Sequence, residues 1–105
     1  MIANLFADLP VAIPDEAFTE LLVRPQARVE RIVSRGQVTP RGAPMVQDSE
    51  EWVILLAGEA AIRIEGVGEV ALRPGDHLTI APRQAHWVTY TSSEPPAVWL
   101  AVHIA

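Results

Sequence analysis

Two residues able to do acid–base or metal chemistry stand at the ends of one stretch of the chain, residues 51–86. Glu51 opens a continuous apolar run, and His86 follows a turn that contains Pro82. A carboxylate and an imidazole can move protons near neutral pH, and both are ligands for divalent metals. The residues between them alternate between strand and turn patterns, so we expect Glu51 and His86 to face one cavity if these strands pair as their turns indicate.

The alternation of side chains along a strand predicts which groups share that cavity. Glu51 shares a face with Val53, and His86 shares a face with Tyr90, so an imidazole and a phenol are expected to point inward together. A carboxylate in an apolar interior is costly unless it is paired or bound to a metal. Glu51 is therefore expected to bind a metal, to pair with an arginine such as Arg83, or to remain solvated at the rim of the cavity.

The spacing around these residues resembles the two motifs of the cupins, a superfamily of small β-barrels. The first cupin motif ends in Glu, six residues and Gly, which is the separation of Glu51 and Gly58. The second motif runs from a Gly to a His, and Gly75 and His86 stand at the matching distance. The Pro-x-Gly of that second motif falls on Ala81 and Arg83, with the proline displaced by one position. The resemblance covers roughly residues 29–104.

The resemblance also implies a metal site that this chain has changed. In cupins two histidines of the first motif, its Glu and the His of the second motif hold one divalent metal, such as Fe, Mn, Zn or Ni. Here Met45 and Gln47 stand at the two positions of the missing histidines, which leaves Glu51 and His86 with Gln47 as a candidate third ligand. Amide oxygens are weak ligands for transition metals, so any site is expected to bind metal weakly. No organic cofactor is expected.

Short strand patterns separated by Gly and Pro predict an all-β fold, and the resemblance makes it a cupin-type double-stranded β-helix, or jelly-roll barrel. We expect one domain over residues 1–105, with an N-terminal packing segment at 1–24 and a barrel at 29–104. No helix longer than about two turns is expected. The predicted strands are residues 17–23, 28–34, 45–48, 52–56, 60–65, 69–72, 77–81, 87–91 and 97–104.

Composition excludes several classes of function. A net charge of −5 argues against a nucleic-acid partner, which requires a basic surface. No apolar run approaches the roughly 20 residues that span a bilayer, so no membrane partner is expected. The chain has no cysteine and no lysine, which removes thiolate and Schiff-base catalysis. The absence of disulfides and of a recognisable signal peptide favours a cytoplasmic location.

Alternation along the last predicted strand puts Leu100, Val102 and Ile104 in the core and His103 on the opposite face. If that parity is inverted, His103 faces the cavity and could be the imidazole that the metal site lacks. His77 is expected to be exposed.

Three tryptophans, Trp52, Trp87 and Trp99, are predicted to lie on outward strand faces. Outward tryptophans in so small a domain would form a large apolar surface, and a symmetric homodimer is the economical way to cover it.

Three functions remain open, each with a small-molecule ligand or substrate. In the first, Glu51 and His86 hold a metal for dioxygenase-like chemistry while Tyr90 and Gln47 orient the substrate. In the second, the barrel is a metal-free binding module that uses His86, Gln47 and Arg83. In the third, it is a metal-free isomerase or epimerase with His86 as general base and Tyr90 as acid. The missing motif histidines favour the second and third functions.

Overall fold

The computed structural model describes residues 2–11 and 14–105, and residues 1, 12 and 13 of the predicted N-terminal segment lie outside this description. Eight strands follow one another, and the described residues contain no helix, so none that could cross a membrane. The strands are β1 (Ala17–Arg24), β2 (Ala27–Ser34), β3 (Glu50–Ala57), β4 (Ala60–Ile64), β5 (Gly68–Leu72), β6 (His77–Ile80), β7 (His86–Thr91) and β8 (Ala97–Ile104). The prediction of an all-β double-stranded β-helix is confirmed.

Two antiparallel sheets face each other across the core. The larger sheet has the order β1-β2-β8-β3-β6, and the smaller has the order β5-β4-β7. The buried core between them is apolar, and it includes Val53, Leu55, Ile62, Val88 and Ala101. The predicted strand over residues 45–48 is reduced to a single bridge between Met45 and His86.

The predicted parity of β8 is wrong, and the inverted alternative is correct. Trp99 is 2% exposed and Ala101 and His103 are buried, whereas Ile104 is 44% exposed. The cause is the register with β3, which pairs Glu51 with His103. Directly paired residues of antiparallel strands share a face, so β8 must turn the same row inward as β3 does.

The surface expected from three tryptophans is therefore smaller than predicted. Trp99 is buried, and its Nε1 donates a hydrogen bond to Ser34 Oγ at 3.1 Å. Trp52 and Trp87 are half-buried on outward faces, where the Trp87 ring lies against the Arg63 guanidinium at 5.1 Å.

The exposed apolar surface lies instead on β1, at the edge of the larger sheet. Phe18, Leu21, Leu22 and Val23 are all exposed there. The N-terminal segment lies on the outer face of the neighbouring strand β2, where Arg31 donates hydrogen bonds to the carbonyl oxygens of Leu5 and Ala7. No strand of the described residues pairs with the free edge of β1.

Gly58, the glycine of the first motif, ends β3 in a conformation that requires glycine. Its φ is +79°, and a Cβ atom built there would lie 2.4 Å from the carbonyl oxygen of Pro96 and 2.7 Å from Ser92 Oγ. The β3–β4 turn thus approaches the chain before β8 too closely for any side chain. Gly66 also has a positive φ, of +82°, but open space surrounds it.

These two glycines give a matched test of the turn. Gly58→Ala is expected to lower the free energy of unfolding by at least about 2 kcal/mol, because backbone strain adds to overlap with main-chain atoms. Gly66→Ala is expected to cost only about 1 kcal/mol, since it adds strain alone. Urea denaturation of both variants measures the difference, and equal losses would contradict the packing argument.

Candidate functional site

A cavity of about 80 Å³ lies between the two sheets. Apolar side chains of the core form most of its wall, including Val53, Ile62 and Val88. Six polar side chains also line it: Glu16, Glu30, Gln47, Glu51, His86 and His103. The cavity therefore gathers carboxylates and imidazoles from both sheets in an otherwise apolar space.

Glu51, His86 and Gln47 form a cluster in this wall, as their spacing predicted. The amide Nε2 of Gln47 donates a hydrogen bond to Glu51 Oε1 at 2.6 Å. His86 Nε2 lies 3.8 Å from the same oxygen, which is beyond hydrogen-bond length. Both Glu51 and His86 are buried, at 7% and 2% exposure. The cluster places the imidazole nitrogen close to the carboxylate, with no direct hydrogen bond between the two.

The other nitrogen of His86 fixes the tautomer of the ring. Nδ1 lies 3.1 Å from the carbonyl oxygen of Gln84, which can only accept a hydrogen bond. In the neutral ring Nδ1 therefore holds the hydrogen, and Nε2 presents its lone pair. This is the state in which Nε2 can act as a base.

Backbone hydrogen bonds hold this cluster in place. Met45 and His86 exchange two of them, with N···O distances of 2.8 and 3.0 Å. The Arg83 N–H donates to the carbonyl oxygen of Gln47 at 2.7 Å. The segment before β3 is thus fastened to the turn between β6 and β7, which brings the two motifs together.

Arg83 stands at the glycine position of the second motif and keeps the glycine conformation, with a φ of +64°. Its guanidinium forms an exposed ion pair with Asp48 at 2.7 Å. The alternatives that Arg83 pairs with Glu51 or contacts a ligand in the cavity are therefore not supported, because its side chain lies outside the cavity wall.

Tyr90, predicted to face the cavity, is 51% exposed and lies outside the lining. The β4–β7 pairing shifts between Ala61 and Ile62, because Ala61 pairs with Tyr90 and Ile62 pairs with Val88. The extra residue in β7 is a bulge, which reverses the alternation beyond Val88. The predicted inward position of Tyr90 is wrong for this reason, whereas His86 and Val88 do face inward.

His103 and Glu30 form a second pair that sequence reasoning did not assemble. His103 Nε2 lies 2.7 Å from Glu30 Oε1, and both side chains are buried. His103 Nδ1 is buried without a hydrogen-bond partner among the described residues. Glu30 shares a strand face with Ile32, and both line the cavity. That shared face was the available signal for Glu30.

Glu16 is the third carboxylate of the cavity, and it ends a chain of hydrogen bonds. Trp99 donates to Ser34, and the Ser34 hydroxyl donates to Glu16 Oε2. Burial raises the pKa of Glu16 above its ordinary value, and the hydrogen bond from Ser34 acts in the opposite direction.

The donor set does not fit a resident transition metal. His86 and Glu51 are two ligands, and Gln47 turns its amide N–H toward Glu51. His103 lines the same cavity, but it is not grouped with Glu51 and His86 in an arrangement that could hold a metal ion. The described part of the chain contains no group of three or more His, Cys, Asp or Glu side chains arranged to hold a metal ion. Transition-metal sites in enzymes ordinarily have three protein ligands, so the predicted site of Glu51, His86 and Gln47 falls short.

The raised pKa of Glu16 predicts a pH-dependent stability. Because the folded pKa lies above the unfolded value of 4.5, folding takes up a proton, and the free energy of unfolding falls as pH rises from 4.5 through the folded pKa. Glu16→Gln stays neutral and can still accept the hydrogen bond from Ser34. Its stability relative to the wild type is expected to increase over that pH range, as measured by urea denaturation. Parallel pH profiles for the two proteins would contradict this.

Comparisons with known proteins agree with the fold. The family model described as Cupin domain matches residues 32–103. A crystal structure of a candidate mannose-6-phosphate isomerase from Ralstonia eutropha is 43% identical, with a TM-score of 0.94, and the match covers 99% of this chain and 97% of that one. No curated protein matches the chain by sequence.

Two more distant structures share the fold alone. A protein with a double-stranded β-helix domain from Klebsiella pneumoniae is 19% identical, with a TM-score of 0.79 and coverage of 98% of this chain and 88% of that one. A cupin superfamily protein from Desulfitobacterium hafniense is 13% identical, with a TM-score of 0.76 and coverage of 91% and 83%. By its motifs, its barrel and its match to the family model, the chain belongs to the cupin family.

Proposed function

We propose that this cupin binds a small molecule in its cavity and moves a proton on it without a metal, as an isomerase or epimerase does. The observation that carries the proposal is the state of His86. Its Nδ1 is held by the carbonyl oxygen of Gln84, and its Nε2 lone pair lies in the cavity wall 3.8 Å from Glu51. An oriented imidazole beside a buried carboxylate is suited to take a proton and to be stabilised once charged.

The chemistry would begin at a carbon that carries both a hydrogen and a hydroxyl group beside a carbonyl. His86 Nε2 takes the hydrogen as a proton, the electron pair of the C–H bond becomes a C=C bond, and the π pair of the carbonyl group moves to its oxygen, which gives an enediolate. The hydroxyl proton passes to this former carbonyl oxygen. The remaining oxyanion then forms the new C=O bond while the C=C pair takes the proton back from His86 at the neighbouring carbon. Glu51 stabilises the imidazolium between the two steps. No electron is gained or lost, so no redox partner is needed.

The other two functions have weaker support. A metal-dependent dioxygenase would need more ligands than Glu51, His86 and Gln47 supply in their observed arrangement. A binding module would use the same cavity without turnover, but its predicted contact through Arg83 is absent from the lining. The Ralstonia eutropha protein carries the name of a candidate mannose-6-phosphate isomerase, and the chain is 43% identical to it. The proposal takes from this name the isomerase class alone and not the phosphorylated substrate, because no arginine among the described residues lines the cavity.

The role of His86 predicts a loss of proton exchange when its ring is removed. In D₂O the wild-type protein is expected to exchange the carbon-bound hydrogen of α-hydroxy aldehydes and ketones, which NMR detects directly. His86→Asn is expected to slow this exchange by at least about 100-fold, the usual contribution of a general base. His77→Asn is the matched control, because His77 is an exposed histidine outside the cavity.

Two results would contradict the proposal. One is equal exchange by the wild type and His86→Asn. The other is the absence of exchange by the wild type across a panel that includes dihydroxyacetone, glyceraldehyde and their phosphate esters.

The homodimer stays a prediction, and β1 is now its basis. A long edge strand with exposed apolar side chains is a site for pairing or aggregation unless something covers it. A second copy could pair with it antiparallel about a two-fold axis. The absence of nucleic-acid and membrane partners and a cytoplasmic location also stay predictions, which rest on composition.

Light scattering after gel filtration tests the dimer. The wild type is expected to have twice the monomer mass. Leu22→Glu, on the exposed edge strand, is expected to give a monomer, whereas Val67→Glu, at an exposed position in the β4–β5 turn, is expected to leave the mass unchanged. A monomeric wild type would contradict the predicted homodimer.

A further inference from the structure

We propose that His103, held by Glu30, is a hydroxyl-binding group of the cavity, and that the cavity takes small uncharged hydroxy compounds and rejects their phosphate esters. The inference rests on the proposed function, because it names the class of molecule on which His86 acts.

The first support is the incomplete hydrogen bonding of His103. Glu30 Oε1 lies 2.7 Å from Nε2 and, as a carboxylate, accepts the hydrogen of that bond. The bond fixes the ring, while Nδ1 is buried and has no partner in the described part of the chain. A buried polar atom without a partner is unfavourable, so a ligand atom that pairs with Nδ1 gains this lost interaction.

A hydroxyl group suits Nδ1 in either state of the ring. It donates a hydrogen to the lone pair of the neutral ring and accepts one from the charged ring. The register of the larger sheet pairs His103 on β8 directly with Glu51 on β3, and both residues line the cavity. A hydroxy compound could therefore reach His103 with one group while its neighbouring carbon lies near His86.

The second support is the charge of the cavity wall. It contains three carboxylic side chains, Glu16, Glu30 and Glu51. Among the described residues no arginine lines the cavity, and the whole chain has no lysine. Proteins bind phosphate through arginine, lysine or clustered N–H donors, and a phosphate group beside three carboxyl groups would be repelled. The cavity therefore discriminates against a phosphate ester of an otherwise suitable compound.

The size of the cavity limits the ligand further. Its volume of about 80 Å³ is roughly half of the 150 Å³ cavity that holds benzene in another protein. It encloses a compound of about three carbons, or the reacting end of a longer one. Dihydroxyacetone and glyceraldehyde are suitable probes, each with its own phosphate ester as the matched charged compound.

Equilibrium titrations with these four compounds test the inference, followed by NMR of the histidine ring nitrogens. The uncharged members are expected to bind and to shift the His103 Nδ1 resonance of the wild-type protein, and each phosphate ester is expected to bind at least about 10-fold more weakly. This readout needs no variant. Equal or tighter binding of the phosphate esters would overturn the inference, as would a failure of both uncharged compounds to move the Nδ1 resonance.

Variants then separate the two residues of the pair. His103→Asn is expected to weaken binding of the uncharged probes about 10-fold, the value of one hydrogen bond, whereas His77→Asn leaves it unchanged. Glu30→Ala tests positioning, because it removes the acceptor of the Nε2–H bond and is expected to change the tautomer of the His103 ring in the NMR spectrum. The exposed Glu69→Ala is its control. An unchanged tautomer in Glu30→Ala would remove Glu30 from the proposed subsite.

The failure of this inference is distinguishable from that of the proposed function. Binding of uncharged probes at His103 without any hydrogen exchange would leave the hydroxyl site standing and overturn the proton-transfer function. Exchange restricted to the phosphate esters would leave the proton-transfer function standing and overturn the inference about uncharged ligands.

Discussion

The pairing of β8 with β2 on one side and β3 on the other is the constraint on which the cavity depends. It pairs His103 with Glu51 and Ala101 with both Glu30 and Val53. Because paired residues of antiparallel strands share a face, this register turns two carboxylates and an imidazole inward together. A slip of one residue would exchange every inward side chain of β8 for its outward neighbour, and the His103–Glu30 bond would be lost.

Burial then decides what these polar groups can do. A polar group removed from water is costly unless it finds a partner, so each imidazole of the cavity is anchored at one nitrogen. His86 is anchored by a backbone carbonyl group and His103 by a carboxylate. In both rings the second nitrogen has no hydrogen bond to any residue that the structure describes, so it can pair with a ligand. Gln47, whose amide N–H is turned toward Glu51, supplies no third metal ligand beside Glu51 and His86, and the described residues contain no group of three His, Cys, Asp or Glu side chains arranged to hold a metal ion.

Most of the fold was predictable because its signals are local. Gly and Pro mark the turns, and Gly58 is required by a positive φ and a close backbone contact.

The inward faces of the strands were less predictable. Alternation divides a strand into two faces but does not say which one is buried, and in β8 both faces carry apolar residues, so only the sheet partners settle the parity. One unpaired residue in β7 forms the bulge that turns Tyr90 outward. No pattern in the sequence predicts this bulge. Glu51, Gln47 and His86 were found from motif spacing, whereas Glu30 and His103 come together only through the register of the sheet.

We propose that the cavity moves a proton by acid–base chemistry of its own side chains. Hydrogen–deuterium exchange on dihydroxyacetone and glyceraldehyde tests this proposal, with wild-type protein that has been stripped of metal with a chelator. NMR would follow the exchange before and after addition of Fe, Mn, Zn and Ni in turn. If the side chains suffice, the exchange rate without metal equals the rate with each of the four. Exchange that begins only when one of these metals is added would contradict it.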